Sequence, residues 1–257
     1  MTLVMGILNV TPDSFSDGGQ FLDPAKAIAR GLEMMEEGAT IIDVGGESTK
    51  PGVERVSMDE ELSRVIPVIH ALSKAGAMVS VDTMRAEVAA LAVASGARII
   101  NDVSGGLADE AMHATAAALK AQYICMHWRG QSKNMDSLAV YDDVTSEVIA
   151  ELTKQVASAL LAGIEPTRLV IDPGLGFAKN AEQNWELLRN IDKFKELGFP
   201  ILVGGSRKRF LGGNDPLERE SASIALTTWL ATKDIWGVRT HTVRPHVDAI
   251  RTVGQIA

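Results

Sequence analysis

The chain has 257 residues, 46% hydrophobic and 23% charged, which is the composition of an ordinary globular protein. Its 25 Lys and Arg are outnumbered by 33 Asp and Glu, and the net charge of −8 argues against general binding to nucleic acid or anionic membranes. The single cysteine, Cys125, excludes an intrachain disulfide. The first residues lack the basic segment and the apolar segment of a signal peptide. No apolar run reaches the roughly 18 residues of a membrane span. We therefore expect a cytoplasmic protein that binds neither nucleic acid nor membranes.

Eight apolar segments rich in β-branched residues alternate with eight segments of helical periodicity. The predicted strands are residues 4–8, 40–44, 77–81, 98–100, 123–126, 169–171, 200–203 and 237–241. The predicted helices are residues 23–38, 58–74, 85–95, 109–120, 142–162, 182–197, 216–232 and 245–256. The first helix shows the usual boundary residues, with Asp23 as the cap, Pro24 at the first position and Gly38 at the end.

The regular alternation of strand and helix determines the predicted fold. Such alternation requires a parallel sheet with right-handed crossovers. Eight units in about 250 residues are typical of a closed (β/α)8 barrel, a TIM barrel, and they predict one domain that spans residues 1–257. An open doubly wound sheet is the alternative. It gives no reason for eight equal units, and no Gly-x-Gly-x-x-Gly sequence follows the first strand.

Polar or flexible residues follow every predicted strand. They are Asn9, Gly45-Gly46-Glu47, Asp82, Asn101-Asp102, His127, Asp172, Lys208, Arg239 and His241. In a barrel of this kind the active site lies at the carboxyl ends of the strands, so these residues predict a site at that end. Each residue taken alone could instead cap a helix or be a satisfied polar group of the barrel.

Two acids and one amide are the predicted contacts for a flat, nitrogen-rich ring. Asp82, Asn101 and Asp172 end the third, fourth and sixth strands and should converge at the barrel mouth. A carboxylate matches the edge of an amino-pyrimidine with paired hydrogen bonds. For Asp172 a second interpretation is open, because an acid before Pro173 and Gly174 is also typical of a turn that caps the next helix.

Basic residues collect after the last two predicted strands. Arg239 and His241 are two positions apart on a strand and so share a face, and Arg207 and Lys208 follow Gly204-Gly205. The loops after the seventh and eighth strands are the usual anion site of this fold. A cluster of Arg, Lys and His there predicts a phosphate or pyrophosphate site. A solvated run of charges is the alternative for residues 207–209.

The loops after the first two strands are long, and loops of this length are often functional. They carry Asn9, Thr49 and Lys50 among other polar residues, which suits a lid that orders over an anion. Asn9 is also a candidate oxygen ligand for Mg²⁺, which keeps most of its waters in phosphate sites. His127, at the end of the fifth strand, is either a packed aromatic or a direct substrate contact.

Seven sequence blocks resemble the signatures of one known family, the dihydropteroate synthases. The blocks are MGILNVTPDSFSDGG at 5–19, DVGGESTKPG at 43–52, SVDT at 80–83, NDVSGG at 101–106, DPGLGF at 172–177, SRK at 206–208 and RTH at 239–241. They occur in the family's order over essentially the whole chain. A single block would be a weak signal, but coincidence does not account for all seven in order.

The resemblance implies a transferase of folate biosynthesis that joins 6-hydroxymethyl-7,8-dihydropterin diphosphate to 4-aminobenzoate and releases pyrophosphate. It implies catalytic or pterin-binding roles for Asp82, Asn101, Asp172 and Lys208, and pyrophosphate binding by Thr49, Lys50, Arg239 and His241 with Asn9 and Mg²⁺. It also implies that Phe177 and Ser206 border the aminobenzoate pocket, where sulfonamides compete. A homodimer through late helices is implied too, and Ala225, Leu226, Trp229 and Leu230 are candidates for its apolar face.

The chain departs from the family pattern at three positions. Lys50 stands where the family usually has Arg, which keeps the charge but loses the planar, bidentate fork. Arg209 and Thr242 replace the Ser and Asp found in many members. Two other functions are alternatives for this sequence. A methyltetrahydrofolate-binding methyltransferase of the same superfamily would not need the anion pocket, and a non-catalytic relative would bind the pterin or phosphate alone.

Overall fold

The computed structural model describes residues 1–11, 23–47, 55–131 and 135–256. Within these ranges the backbone forms eight strands, each at a position predicted from the sequence. They are β1 (Leu3–Asn9), β2 (Ile41–Gly45), β3 (Val79–Asp82), β4 (Ile99–Asp102), β5 (Gln122–Met126), β6 (Leu169–Asp172), β7 (Leu202–Val203) and β8 (Gly237–Thr240).

Nine α-helices occur in the described ranges, and all but one of them contain eight or more residues. They are α1 (Pro24–Glu37), α2 (Met58–Lys74), α3 (Ala86–Ala94), α4 (Met112–Leu119), α5 (Val144–Leu161), α6 (Ala181–Arg189), α7 (Ile191–Lys195), α8 (Glu220–Thr232) and α9 (Arg244–Ile256). The predicted helix at 182–197 is wrong in one respect, because it divides at Asn190, whose side chain bonds to the Glu186 carbonyl and to Thr145. The predicted helix at 216–232 begins as a 3-10 turn, Leu217–Arg219.

All the strand ladders are parallel, and they confirm the predicted (β/α)8 barrel. The strand order is β6-β5-β4-β3-β2-β1-β8-β7. Pairing of β1 with both β2 and β8 brings the first and last strands together. Among the described residues, β6 and β7 meet only through one bridge between Ile171 and Ile201, which closes the ring.

Successive strand residues point to opposite sides of the barrel wall, as the period of a strand requires. Outward residues such as Val44, Val81 and Ile171 pack with the helices in one large core. A second, smaller cluster fills the inside of the barrel. It contains Met5, Ile41, Ile99, Ile124, Val170 and Leu202, with Leu3 and Trp236 packed against it. The barrel floor is therefore apolar and closed.

The polar residues follow from the same alternation. Asp43, Asn101 and Asp172 are two positions beyond Ile41, Ile99 and Val170 on their strands, so they form the next inward layer. They are buried but lie toward the carboxyl ends of the strands. An apolar floor with a polar layer above it places the unusual charges at one end of the barrel.

The apolar dimer face suggested by the sequence is wrong in part. Leu226 and Leu230 are buried in the chain's own core, and Trp229 packs against that core. They stabilise the protomer rather than offer a free surface. Across the described ranges, no helix is both long and apolar enough to cross a membrane.

Candidate functional site

A cavity of about 910 Å³ opens at the carboxyl ends of the strands. This size lies within the usual range for small-molecule sites. Nine of the residues to which the family resemblance assigns a role in the site are described, and eight of them line the cavity. The eight are Asn9, Asn101, Asp172, Phe177, Ser206, Lys208, Arg239 and His241. Asp82 is not among the lining residues, and Thr49 and Lys50 lie outside the described residues.

Asp82 belongs to a buried network below the cavity surface. Its Oδ2 accepts a hydrogen bond from Nη2 of Arg239 at 2.6 Å. Nε of Arg239 donates to Oδ2 of Asp43 at 2.6 Å, and the same oxygen accepts from Nδ2 of Asn101 at 2.9 Å. The predicted ring contacts and the predicted anion ligand are therefore joined in one cluster by Asp43.

The charges of this network are set by burial. Desolvation raises the pKa of Asp82 to about 7, because Arg239 offsets burial only partly and Asp43 adds repulsion. The pKa of Arg239 is raised by its two carboxylate partners in spite of burial. Oδ1 of Asp43 is buried without a hydrogen-bond partner among the described residues. A buried polar atom without a partner costs free energy, which indicates that the role of Asp43 is to orient the residues that it contacts.

Asp43 was missed as a candidate by the sequence analysis. It lies inside the run Ile41-Ile42-Asp43-Val44, which predicts only a buried strand. The available signal was the period of two, which puts Asp43 on the same inward face as Ile41 and Gly45.

Asp172 faces the cavity and is not the cap of the following helix. The cap of α6 is Asn180, whose side chain accepts from the Gln183 N–H. Asp172 instead accepts the Gly174 N–H at 2.7 Å, inside the turn. Burial raises the pKa of its carboxyl, while Lys208 is the largest opposing influence.

Lys208 closes one side of the cavity together with Phe177. Its ammonium donates to the Leu175 carbonyl and lies over the Phe177 ring, 4.6 Å from the centroid. Burial lowers the pKa of Lys208 to about 8, although Asp172 favours the charged form. Lys208 therefore remains a mostly charged group at neutral pH, between an acid and an aromatic ring.

His241 is neutral, which corrects its grouping with the cations. Burial, and then the charge of Arg239, lower its pKa to about 3. Its backbone N–H donates to Oγ of Ser206 at 3.2 Å, and its Nδ1 lies 3.0 Å from the same oxygen. A serine hydroxyl can donate one hydrogen bond and accept two, so this contact is compatible with either neutral tautomer of His241.

Arg207, the other predicted anion ligand, lines the cavity but is paired with an acid. Its Nε donates to Glu220 at 3.0 Å, and its backbone is left-handed with φ 59°. Glu220 also accepts from Thr242, the residue that replaces the family's Asp. Arg207, Lys208 and Arg209 all line the cavity, and Arg207 in addition ties its loop to α8.

His127 is fully buried and belongs to a second polar group beside the cavity. Its Nε2 lies 2.9 Å from Glu151, and its Nδ1 lies 2.9 Å from the ammonium of Lys179. Two roles were predicted for His127, aromatic packing or a direct substrate contact. Its two ring nitrogens instead contact Glu151 and Lys179. Lys179 was missed because one Lys after a turn resembles a surface residue.

The oxygen ligands at the cavity fit a Mg²⁺ ion only if the ion takes few ligands from the protein. The described residues contain no cluster of three His, Cys, Asp or Glu side chains that could hold a metal ion. Asn9 lines the cavity, and its amide makes no hydrogen bond to the described residues. An amide oxygen that is unbonded among the described residues suits a Mg²⁺ that keeps its waters and binds mainly to substrate phosphates.

Comparison with known proteins identifies the family. Residues 5–241 match the family model described as pterin binding enzyme. The dihydropteroate synthase of Mycobacterium leprae is 50% identical over 261 aligned residues, which cover 98% of this chain and 92% of that protein. The chain belongs to the dihydropteroate synthase family. The family signature blocks found in the sequence are thus explained by common descent.

Solved dihydropteroate synthases have the same fold. A structure of the Xanthomonas albilineans enzyme with 4-aminobenzoic acid superposes with a TM-score of 0.93 at 42% identity and covers 99% of this chain and 93% of that one. A second structure of that enzyme, in complex with 7,8-dihydropteroate, gives a TM-score of 0.89 at 40% identity with coverage of 99% and 93%. The barrel fold is therefore shared with these dihydropteroate synthases.

Proposed function

We propose that this chain condenses 6-hydroxymethyl-7,8-dihydropterin diphosphate with 4-aminobenzoate to give 7,8-dihydropteroate and pyrophosphate. The observation that carries the proposal is the composition of one cavity. Asn101 and Asp172 line it on one side, and Lys208, Arg239 and His241 line it on the side of the last two strands. A ring with hydrogen-bonding edges and an attached anion would satisfy both sides.

The pterin would bind on the polar layer above the apolar floor. The Asp172 carboxylate would accept from the amino-pyrimidine edge, and such paired bonds to a charged acceptor are among the stronger hydrogen bonds. Asn101 donates to Asp43, which turns its amide oxygen away from that residue and toward the ring. Asp82, beneath Arg239, would act on the ring through its charge.

The diphosphate would lie against Arg239 and His241, with Thr49 and Lys50 as further ligands from the second loop. Arg239 is held by two carboxylates, so its position is set before substrate binds. Asn9 would supply an oxygen to Mg²⁺. When bound, the ion would neutralise part of the charge on the leaving diphosphate.

The aminobenzoate would bind at Phe177 and Ser206, in a pocket bordered by the first two loops. Phe177 supplies an apolar surface for the ring. Phe177 and Ser206 belong to the loops after β6 and β7, so this pocket would adjoin the pterin, which Lys208 would contact beside Asp172.

In the reaction the bond from the pterin CH₂ to the diphosphate oxygen breaks, and pyrophosphate leaves with the electron pair. The amine nitrogen of aminobenzoate forms the new C–N bond and then loses one proton to solvent. Positive charge that develops on the pterin during bond breaking would be stabilised by Asp82 and Asp172. An arylamine needs no strong base, so no residue is assigned that role.

A single-domain, cytoplasmic homodimer is also part of this proposal, and it rests on the resemblance to the family.

The test is pyrophosphate release by the purified protein with the pterin diphosphate and Mg²⁺, with and without 4-aminobenzoate. The proposal expects release that depends on aminobenzoate and formation of dihydropteroate in equal amount. Binding of the pterin without release would identify a non-catalytic relative. Methyl transfer from methyltetrahydrofolate in place of release would identify the methyltransferase alternative.

A further inference from the structure

Lys179 has no part in the chemistry proposed above, yet its charge is tightly confined beside the cavity. It is 8% exposed. Its ammonium contacts Nδ1 of His127 at 2.9 Å, the Gly174 carbonyl at 3.0 Å and the Phe177 carbonyl at 2.9 Å. These three contacts use all three N–H donors of the ammonium. None of the acceptors is a carboxylate, so the ammonium is buried directly against neutral groups.

The loop that Lys179 contacts has an unusual backbone. Gly174, Gly176 and Ala178 have φ angles of 69°, 74° and 47°, in the region that residues other than glycine rarely adopt. Such a turn persists only where its surroundings specify it. Lys179 bonds to two carbonyls of the turn, and Lys208 bonds to a third, that of Leu175. Two lysines therefore fix the conformation of the loop that carries Phe177.

His127 determines how Lys179 is oriented. An ammonium cannot accept a hydrogen bond, so Nδ1 of His127 is the unprotonated nitrogen and its Nε2–H donates to Glu151. Burial, and then the charge of Lys179, lower the pKa of His127 to about 4, which keeps the ring neutral. Arg129 holds Glu151 through Nε at 3.0 Å and Nη2 at 2.6 Å. One chain of bonds thus runs from α5 through His127 to the loop.

A buried charge without a direct counterion costs free energy. Desolvation is the main cause that lowers the pKa of Lys179 to about 7, and repulsion from Lys208 adds to it. An apolar side chain would fill the same space without this cost. A charge at this position therefore indicates a function in the loop that an apolar side chain would not perform.

We propose that Lys179 is a positioning residue for the second substrate. It holds the loop between β6 and α6 so that Phe177, beside Lys208, forms one wall of the aminobenzoate pocket. It acts through the carbonyls of Gly174 and Phe177. The assignment to aminobenzoate depends on the function proposed above, whereas the effect on the loop does not.

Lys179→Met tests the proposal, because it keeps an unbranched stem and removes the donors. Gln155→Leu is the matched control. Gln155 is 5% exposed and donates to the Ser104 and Met126 carbonyls at 3.1 and 3.2 Å, so its loss also breaks buried hydrogen bonds without touching the loop. Both variants are purified as the full chain, and their melting temperatures are compared so that a general loss of stability is recognised.

The first measurement is hydrogen exchange of the amides of residues 174–178 without substrate. We expect exchange to become about tenfold faster in Lys179→Met, because two carbonyls of the turn lose their donor. Gln155→Leu should leave this exchange at the wild-type rate. Equal exchange in Lys179→Met and wild type, or equal acceleration in both variants, overturns the proposal. This result does not depend on whether the wild type catalyses the reaction.

The second measurement is steady-state kinetics. Lys179→Met should raise the KM for 4-aminobenzoate about tenfold and change the Kd of the pterin diphosphate by less than about twofold. An equal loss of affinity for both substrates would show that Lys179 is a general structural residue and would overturn the assignment to aminobenzoate. Absence of turnover in the wild type would instead refute the proposed function.

The third measurement is the pH profile of the same KM. The groups that face Lys179 are His127, Glu151, Arg129, Asp172 and Lys208. Above pH 7 the ammonium loses a proton and one donor, so the KM for aminobenzoate should rise in the wild type. Lys179→Met should lack this rise, and only the titration of Lys208 near pH 8 should remain. Identical profiles in both proteins contradict the proposal.

Discussion

Arg239 on β8 donates its Nε–H to Asp43 on β2 at 2.6 Å, although β1 lies between these two strands. The same carboxylate oxygen holds Asn101, and a second nitrogen of Arg239 holds Asp82. Asp43 is fully buried and is not among the residues that line the cavity. It therefore sets the position of two cavity residues from below.

Replacement of Asp43 by Asn tests this dependence. The amide keeps the volume of the carboxylate but loses the charge that faces the Arg239 guanidinium. A hydrogen bond to a charged group contributes about 1.5–3 kcal/mol, so the KM for the pterin diphosphate should rise roughly tenfold to a hundredfold. The KM for 4-aminobenzoate should change less, because its pocket lies on the other loops. An unchanged KM for the pterin substrate would show that Arg239 and Asn101 keep their positions without the charge.

The raised pKa of Asp82 makes activity depend on pH. Its pKa of about 7 means that the carboxylate fraction increases as the pH rises through neutrality. If the carboxylate stabilises the pterin cation, kcat/KM for the pterin diphosphate should rise with pH across this range. Asp43→Asn removes a repelling carboxylate, so the midpoint of the rise should move to lower pH. A profile that is flat around pH 7 would contradict a role for the ionised form.

The same pKa has an effect of known sign on stability. A carboxyl whose pKa is higher in the folded state binds its proton more tightly there, so it favours folding at low pH. This contribution is lost as the pH rises through about 7. Asp82→Asn should remove that part of the pH dependence in urea unfolding measured at several pH values. Parallel curves for the variant and the wild type would count against the raised pKa.

The neutral state of His241 predicts which substitutions the anion pocket tolerates. Because a neutral imidazole offers one N–H donor without a charge, His241→Gln, which also keeps a neutral donor, should keep inhibition by pyrophosphate within about threefold. His241→Leu removes the donor and should weaken inhibition about tenfold or more. The inhibition constants of pyrophosphate, measured at about pH 7.5, compare the two variants. Equal loss in both variants would favour a cationic role.

The backbone of the loop after β6 predicts unequal effects of substitution at two of its positions. Gly174 has φ 69°, and a Cβ there would overlap the His127 carbonyl oxygen, so Gly174→Ala should lower the free energy of unfolding by about 2 kcal/mol or more. Ala178 is left-handed at φ 47°, so Ala178→Gly relieves strain while it adds freedom to the unfolded chain. The second change should therefore stay within about 1 kcal/mol of the wild type. Urea unfolding measures both, and similar losses would mean that the turn is not under strain.

The barrel could be predicted from the sequence because its signal is local and repeated. Each strand is a short β-branched run, and the glycines at positions such as 38 and 163 have the positive φ angles expected of helix ends. The break at Asn190 was missed because the apolar periodicity continues through it. There the side chain of Asn190 bonds to Thr145 on α5, a contact 45 residues away that no local pattern contains.

The candidate site was predictable to the extent that it depends on strand ends. Eight of the nine described candidates meet in one cavity, because parallel strands end on the same side of the barrel. The partners of those residues were not predictable. Asp43 and Lys179 act through contacts that join distant parts of the chain, such as Arg239 with Asp43 across 196 positions. The neutral state of His241 likewise follows from burial, which the sequence around it does not express.

The one bridge between β6 and β7 has a consequence for how the protein loses activity. Longer ladders join the other neighbouring strands, so the barrel should separate first at Ile171 and Ile201 when it is heated. The end of β6 and its loop carry Asp172 and Phe177 on one side, and the loop after β7 carries Ser206 and Lys208 on the other. A local opening at this position would move the two halves of the cavity apart while the rest of the barrel stays folded. Thermal inactivation should therefore precede thermal unfolding.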